Sequence, residues 1–173
     1  MKRIVVIGCG GAGKSTLARQ MATVLGVKVV HLDALYWKPG WVATSKGEWS
    51  EIVKALLAEE KWVIDGNFGG TRRLRFEAAD TIIFLDFPRA LCLCRVIWRR
   101  WQYRGKTRPD MGQGCSEKLD WEFLKWIWDF PTNSRPEIMS EIEAYGHERK
   151  VIVLRRPREV KQFLKQIQSR FSK

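Results

Sequence analysis

Gly8-Cys9-Gly10-Gly11-Ala12-Gly13-Lys14-Ser15 is the segment that most narrows what this chain can become. It fits the pattern GxxxxGK[ST] at every fixed position. An unbroken apolar run at 4–7 precedes it, and it leads into a stretch at 14–25 with Leu17, Met21, Val24 and Leu25 on one helical stripe. Strand, glycine turn and amphipathic helix in that order make a cradle for phosphate. The glycines let the backbone curl until successive N–H groups point inward at phosphate oxygens, and the helix starting there adds the positive end of its dipole. A chance glycine loop can carry the same eight letters but has no reason to sit between a strand and a helix. The segment therefore predicts that Gly8, Gly10, Gly11, Ala12, Gly13, Lys14, Ser15 and Thr16 surround the phosphates of a nucleoside triphosphate. Lys14 would reach the β and γ phosphates, and Ser15 would offer its hydroxyl to Mg²⁺.

The rest of the chain agrees with an α/β domain. Short apolar runs at 4–7, 27–32, 62–64, 81–85 and 151–154 do not alternate with polar residues, which is how strands buried on both faces of a parallel sheet read. Helical segments lie between them, giving a βαβα order. Ser45 and Glu48 form a capping box before a helix at 49–58. Further helices are expected at 71–79, from Pro88 onward, at 117–130 and 137–145 with Pro131 and Pro136 breaking the run, and at 158–171. Lys38-Pro39-Gly40 and residues 105–115 read as loops. The second, with its flanking helices, is expected to form a lid-like subdomain at about 104–135 within a single domain spanning 1–173.

Two carboxylates are expected at strand ends, where ligands gather in an open α/β sheet. Asp65, after Trp62-Val63-Ile64 and before Gly66, suits a residue that holds Mg²⁺ through water, or else a turn or N-cap aspartate. Asp33, after His31-Leu32, could accept a proton or hydrogen bond from an acceptor hydroxyl, help hold the metal, or make an Asx turn. His31 beside it is read as a strand residue rather than a base, and Asp86 as a cap for the Pro88 helix.

The formal charge of +12 is partly local: between Asp86 and Asp110 there is no acid, but there are Arg89, Arg95, Arg99, Arg100, Arg104, Lys106 and Arg108. Arg95 and Arg99 are spaced i, i+4 and share a helix face, almost opposite a stripe of Leu93, Ile97 and Trp101. Three readings are open for this cluster: a cationic lid closing on a transferring phosphoryl group, a solvated basic face, or a nucleic-acid contact with Trp98, Trp101 and Tyr103 stacking on bases. Tyr36, Trp37, Trp41 and Trp49 cluster in sequence and could line an acceptor pocket or form core under a loop. Four cysteines without a CxxC pair and two histidines predict free thiols and no zinc site. The basic start and Gly-Cys junction loosely imitate a lipoprotein signal, but the apolar stretch is too short, and a cytoplasmic location is expected.

These residues resemble the small P-loop kinases of the adenylate kinase and shikimate kinase type, and most closely the adenylate-kinase-like proteins known as DNA topology modulation or FlaR-related. The resemblance covers nearly the whole chain. It rests on the glycine loop, on the run from His31 to Trp41, on Trp62-Val63-Ile64-Asp65-Gly66-Asn67-Phe68, and on Thr107-Arg108-Pro109-Asp110-Met111. It implies a P-loop NTPase fold with a parallel five-stranded sheet in order 2-3-1-4-5, helices on both faces and an arginine-rich helical lid. It implies ATP and Mg²⁺ as cofactors and transfer of the γ-phosphoryl group to a small hydroxyl or phosphate acceptor. Lys14, Asp33, Arg95, Arg99 and Arg108 would be catalytic, Ser15 and Asp65 would serve the metal, and Asp33, Trp37 and Arg72 the acceptor. Asp65-Gly66-Asn67-Phe68 with Arg72 and Arg73 is similar to the adenylate kinase Asp-Gly-Phe-Pro-Arg segment, though the Pro is missing and the arginines lie further on. His31 stands where shikimate-type kinases place a second acid, and Asp33 with the tryptophans replaces the adenylate kinase acceptor region, so AMP does not carry over as acceptor. The alternative is a nucleotide-dependent DNA-binding or regulatory protein without kinase turnover. No helix-turn-helix or zinc-finger spacing supports that second reading.

Overall fold

The computed structural model describes residues 1–105, 108–116 and 120–171. Five parallel strands form its main sheet in the order β2 (Lys28–His31), β5 (Trp62–Asp65), β1 (Arg3–Gly8), β6 (Thr81–Leu85), β7 (Lys150–Leu154). Numbered among themselves along the chain these are 2-3-1-4-5, the order the resemblance implies. Successive strand side chains point to opposite faces. Ile4, Val5, Val6 and Ile7 are all wholly buried, so both faces of the central strand are covered. That is why these runs lack alternation.

The helices that cover it are α1 (Lys14–Leu25), α3 (Lys46–Leu57), α4 (Gly69–Ala78), α5 (Arg89–Gln102), α6 (Trp121–Asp129), α7 (Ser134–Gly146) and α8 (Pro157–Phe171). Half of the capping box is present: the Ser45 hydroxyl accepts from the Glu48 amide at 3.4 Å and α3 starts at once, while the Glu48 carboxylate turns to Lys38 instead of closing the box. Pro136 does not break a helix as expected. It sits in the first turn of α7, where its missing N–H has no intrahelical partner to lose. The helix expected from 117 begins at Trp121. Residues 117–119, with Lys106 and Thr107, lie outside the described residues.

Three local readings differ. Asp33 does not end a strand; it lies in the first turn of a short helix, α2 (Leu32–Tyr36). Lys38-Pro39-Gly40 is part of a hairpin between β3 (Trp37–Lys38) and β4 (Val42–Ala43), with Trp41 at φ 64°. Asp86 is not a cap: it accepts a two-bonded ion pair from Arg135 at 2.8 and 2.9 Å, with Arg155 at 3.7 Å. On α5 the buried positions are Cys92 and Val96, so Ile97, Trp98 and Trp101 stay exposed and the arginine face turns inward.

Candidate active site

The glycine loop leaves β1 at the edge of β6. An added Cβ at Gly8 would come within 2.6 Å of the Leu85 carbonyl oxygen, and its φ of +148° excludes most side chains. Gly13 turns the chain into α1 with φ +95°. The first intrahelical bond runs from the Leu17 amide to Gly13 O at 3.0 Å. The amides of Lys14, Ser15 and Thr16 come before it, so they belong to the group a helix leaves unsatisfied at its start. No acidic residue stands in that turn. Lys14 Nζ donates to the Cys9 carbonyl at 3.1 Å, holding the ammonium over its own loop.

A cleft of about 640 Å³ opens above this loop. Gly10–Gly13, Lys14, Ser15 and Thr16 form its floor, with Asp33, Arg95, Arg99 and Arg108 on its walls. Gly8 lies behind the floor, its amide donating to Asn67 Oδ1 at 3.1 Å. Asp65 is buried one step below: its Oδ2 accepts from the Ser15 hydroxyl at 2.6 Å, and its Oδ1 lies 2.5 Å from His31 Nδ1. A hydroxyl and a carboxylate this close are a hard-oxygen pair of the kind Mg²⁺ selects. Arg95 Nη1 donates to Ala12 O at 3.1 Å, and its guanidinium lies 5.3 Å from the centre of the Phe87 ring.

Asp33 looks into the cleft. Its withdrawal from water pushes its carboxyl above the usual range; Lys14 and Arg108 oppose that shift and the neighbouring Asp65 and Asp110 add to it. Asp110 goes the other way. Burial acts to raise it, but Arg108, bonded at 3.0 Å, with Ser15 and His31, holds its carboxyl below the ordinary value. These shifts place Lys14, Asp33, Asp65, Arg108 and Asp110 in one electrostatic neighbourhood.

A native carboxyl with a raised pKa binds more protons than the unfolded one between the two values, so stability falls as pH rises through that window. Asp33→Asn is therefore expected to be more stable than wild type at pH 7, with the difference vanishing below about pH 4, the unfolded value. Thermal unfolding of both proteins against pH measures this; equal midpoints at pH 7 would mean the carboxyl carries no such cost.

Two expected site residues are not brought to the cleft. Arg72 turns to α7, bonding Glu141 at 2.5 and 2.8 Å and Glu137 at 2.8 Å, and is only 3% exposed. Its bonds thus run to α7 rather than into the cleft. Trp37 packs on the rings of Tyr36 and Trp41, with centroids at 5.0 and 5.6 Å. Of that aromatic cluster it is Phe68, 4.8 Å from Tyr36, that reaches the cleft wall. His31, Asn67 and Asp110 were not among the expected site residues. Their adjacency to Asp33, Asp65 and Arg108 in sequence was the available signal. The described part of the arginine loop docks on the hairpin: the Gly40 amide donates to Gly114 O, and Trp41 Nε1 to Ser116 O, both at 3.2 Å.

No family model and no curated protein matches the sequence. Solved structures do. The chain is similar to the shikimate kinase from Acinetobacter baumannii in complex with shikimate, at 19% identity and a TM-score of 0.63, covering all of this chain and 96% of that one. It is similar to a gluconokinase from Sinorhizobium meliloti at 16% identity and a TM-score of 0.54, covering 99% and 95% of the two chains. The shikimate kinase from Bacteroides thetaiotaomicron gives 17% and 0.51, with 99% of each covered. At these identities the likeness is one of fold. It is the fold of P-loop kinases, in agreement with the parallel sheet and the strand order.

Proposed function

We propose that this protein is an ATP- and Mg²⁺-dependent kinase that transfers the γ-phosphoryl group to a small hydroxyl or phosphate acceptor. The observation that carries the reading is the arrangement of Lys14, Ser15 and Asp33 around one cleft whose floor is the glycine loop. Loop amides and Lys14 take the phosphates. Ser15 and Asp65 would hold Mg²⁺, which when bound neutralises charge on the β and γ phosphates. Asp33 receives the acceptor's hydroxyl hydrogen as a hydrogen bond and takes the proton as the acceptor oxygen bonds to the γ-phosphorus. The bond from that phosphorus to the β–γ bridging oxygen breaks, and ADP leaves. Arg95, Arg99 and Arg108 stabilise the charge that develops on the transferring group. The segment at about 104–135 acts as the lid that brings Arg108 over it. That neighbours of the same fold include a shikimate kinase and a gluconokinase supports a small-molecule acceptor.

A second reading follows from the exposed rings of Trp98 and Trp101, 60% and 77% accessible beside the arginines of α5. It is the nucleotide-dependent DNA contact that the topology-modulation resemblance implies. One experiment separates the two. Calorimetry with ATP and Mg²⁺, followed by a turnover screen over acceptors, is expected to show nucleotide uptake and product formation well above ATP hydrolysis. Uptake without turnover, together with DNA affinity falling with salt at a slope near −0.9 per phosphate neutralised, would favour the second.

A further inference from the structure

The thiols of Cys9 and Cys92 take no part in the chemistry above, yet they meet. Cys9 is the second residue of the glycine loop, and Cys92 lies on the face of α5 that packs on that loop; both are buried. α5 comes so close that a Cβ added at Gly11 would lie 2.4 Å from the Cys92 carbonyl oxygen. The Cys9 thiol hydrogen-bonds the Cys92 sulfur, and its Sγ also lies 4.0 Å from Ile127 O on α6. Lys14 and Arg95 stand by the pair. Lys14 Nζ donates to the Cys9 carbonyl at 3.1 Å, and Arg95, three residues along α5 from Cys92, donates to Ala12 O at 3.1 Å. The other two cysteines are placed differently. Cys115 turns its thiol to the carbonyls of Trp37 and Lys38, at 3.7 and 3.3 Å, and Cys94 is exposed.

A thiol meets an oxidant as its thiolate, and neighbouring ammonium and guanidinium groups favour that form. The hydrogen bond from Cys9, and after it the charges of Lys14 and Arg95, hold Cys92 below the usual thiol value against the effect of burial. That same bond, with burial, pushes Cys9 up. One sulfur is thus prepared for attack, and the other stands in contact to resolve the product. We propose that Cys9 and Cys92 are an oxidation site, which a hydroperoxide converts to a disulfide stapling the glycine loop to α5. The Cys92 thiolate attacks one peroxide oxygen, the O–O bond breaks, and with one proton taken up a water leaves, giving a sulfenic acid. The Cys9 sulfur then attacks that sulfur, its proton joins the departing hydroxide, and a second water is released. Two thiols are oxidised and one hydrogen peroxide is reduced to two waters. The new bond draws the sulfurs from hydrogen-bond contact to about 2.05 Å. The backbone of α5 already lies against Gly11, so loop and helix cannot approach as rigid bodies and the Cys9–Gly10 segment has to give. Cys9 O carries both Lys14 Nζ and the Ala12 amide, each at 3.1 Å, so moving it disturbs the phosphate cradle. The loss of nucleotide affinity that follows rests on the glycine loop being the nucleotide site; the disulfide does not.

The test treats the reduced full chain with hydrogen peroxide, quenches it with catalase, and alkylates the remaining thiols after denaturation. Mass spectrometry is expected to find two hydrogens lost, Cys94 and Cys115 alkylated, and a linked peptide joining Cys9 to Cys92. Calorimetry before denaturation is expected to show ATP affinity lowered about tenfold or more, and restored by dithiothreitol. Cys92→Ser should bind ATP as the reduced wild type does and ignore peroxide, while Cys94→Ser should respond as wild type. Cys9 and Cys92 both alkylated after treatment, a bridge through Cys94 or Cys115, or sulfinic acid in place of the bridge overturns the proposal. A mapped Cys9–Cys92 bridge with unchanged ATP affinity overturns its effect on the loop. Reduced protein that takes up no ATP removes the kinase reading and leaves the oxidation site to be decided by the peptide map alone.

Discussion

Lys14→Ala is expected to lower ATP affinity by at least tenfold and turnover with the best acceptor by about 10² to 10³, the cost of losing one preorganised donor to developing charge. The expectation follows from where the ammonium stands. Lys14 opens α1 at the floor of the cleft, and its Nζ rests 3.1 Å from Cys9 O, a position from which a small rotation takes it to a phosphate bound above the loop. That carbonyl is a placeholder, since a carbonyl satisfies one of three ammonium hydrogens and none of its charge. Stability should hardly change, because the side chain is half-buried and the bond it loses lies within its own loop. Calorimetric titration, steady-state rates and a thermal midpoint on the same preparation give three independent readings. Lys14→Arg is not expected to rescue, as a planar fork cannot occupy the place of a compact ammonium. Wild-type turnover in the alanine variant would mean that the glycine loop is not where the phosphates bind.

How much of this could be read beforehand depended on how local each cause is. The helix at 14–25 and the strand at 81–85 agree to the residue with the structure, because stripe, glycine stop and buried apolar run are all written within a dozen positions. Asp65 was legible for the same reason: three apolar residues and a glycine turn bracket it. Arg72 was not. Its partners Glu137 and Glu141 lie 65 and 69 positions on, so nothing near Arg72 announces that α7 will take it. Asp33 was placed on a strand because Val29-Val30-His31-Leu32 runs straight into it, yet β2 stops at His31 and the chain turns helical at once. Leu93, Ile97 and Trp101 mark an apolar stripe by period, but the buried positions of α5 are Cys92 and Val96, which lie against Gly11 of the glycine loop. Periodicity reports that a helix has an apolar side; the neighbours decide which side is buried. His31, Asn67 and Asp110 gain their place only when β2, the turn after β5 and the arginine loop meet around Ser15 and the glycine loop, a convergence no window of the chain contains.

The turn at 66–68, whose Asn67 and Phe68 line the cleft, depends on one side chain. Arg75 on α4 is wholly buried, and its guanidinium donates to Gly66 O at 2.7 Å, to Phe68 O at 3.0 Å and to Asn67 O, with Nε at 3.4 Å from Thr71 O. Among the described residues no carboxylate bonds it, though the charges of Glu141 and Asp65 act on it. Burial first, and the charge of Arg72 second, push its pKa down to about 9, which leaves it charged at neutral pH. A cation buried among carbonyls is thus a fastener of residues 66–68, where Gly66 has φ +131° and Phe68 φ +32°. Arg75→Ala leaves the Gly66 and Asn67 carbonyls without this donor, at about 1–3 kcal/mol each, while Phe68 O keeps the Thr71 amide at 3.0 Å; with the packing of the buried stem lost as well, a loss of about 3–5 kcal/mol is expected. For a chain of this size that is a fall of roughly 10–15 °C in thermal midpoint. Arg75→Lys should recover only part, since an ammonium cannot reach carbonyls of three successive residues in the plane the fork spans. Denaturant unfolding of the three proteins measures the order wild type, Lys, Ala. An alanine variant within about 1 kcal/mol of wild type would show that residues 66–68 keep their shape without the fastener. If the order holds, nucleotide affinity should fall less than turnover, because Asn67 and Phe68 line the cleft without belonging to the glycine loop, while Lys14 and the loop amides stay where β1 and α1 put them.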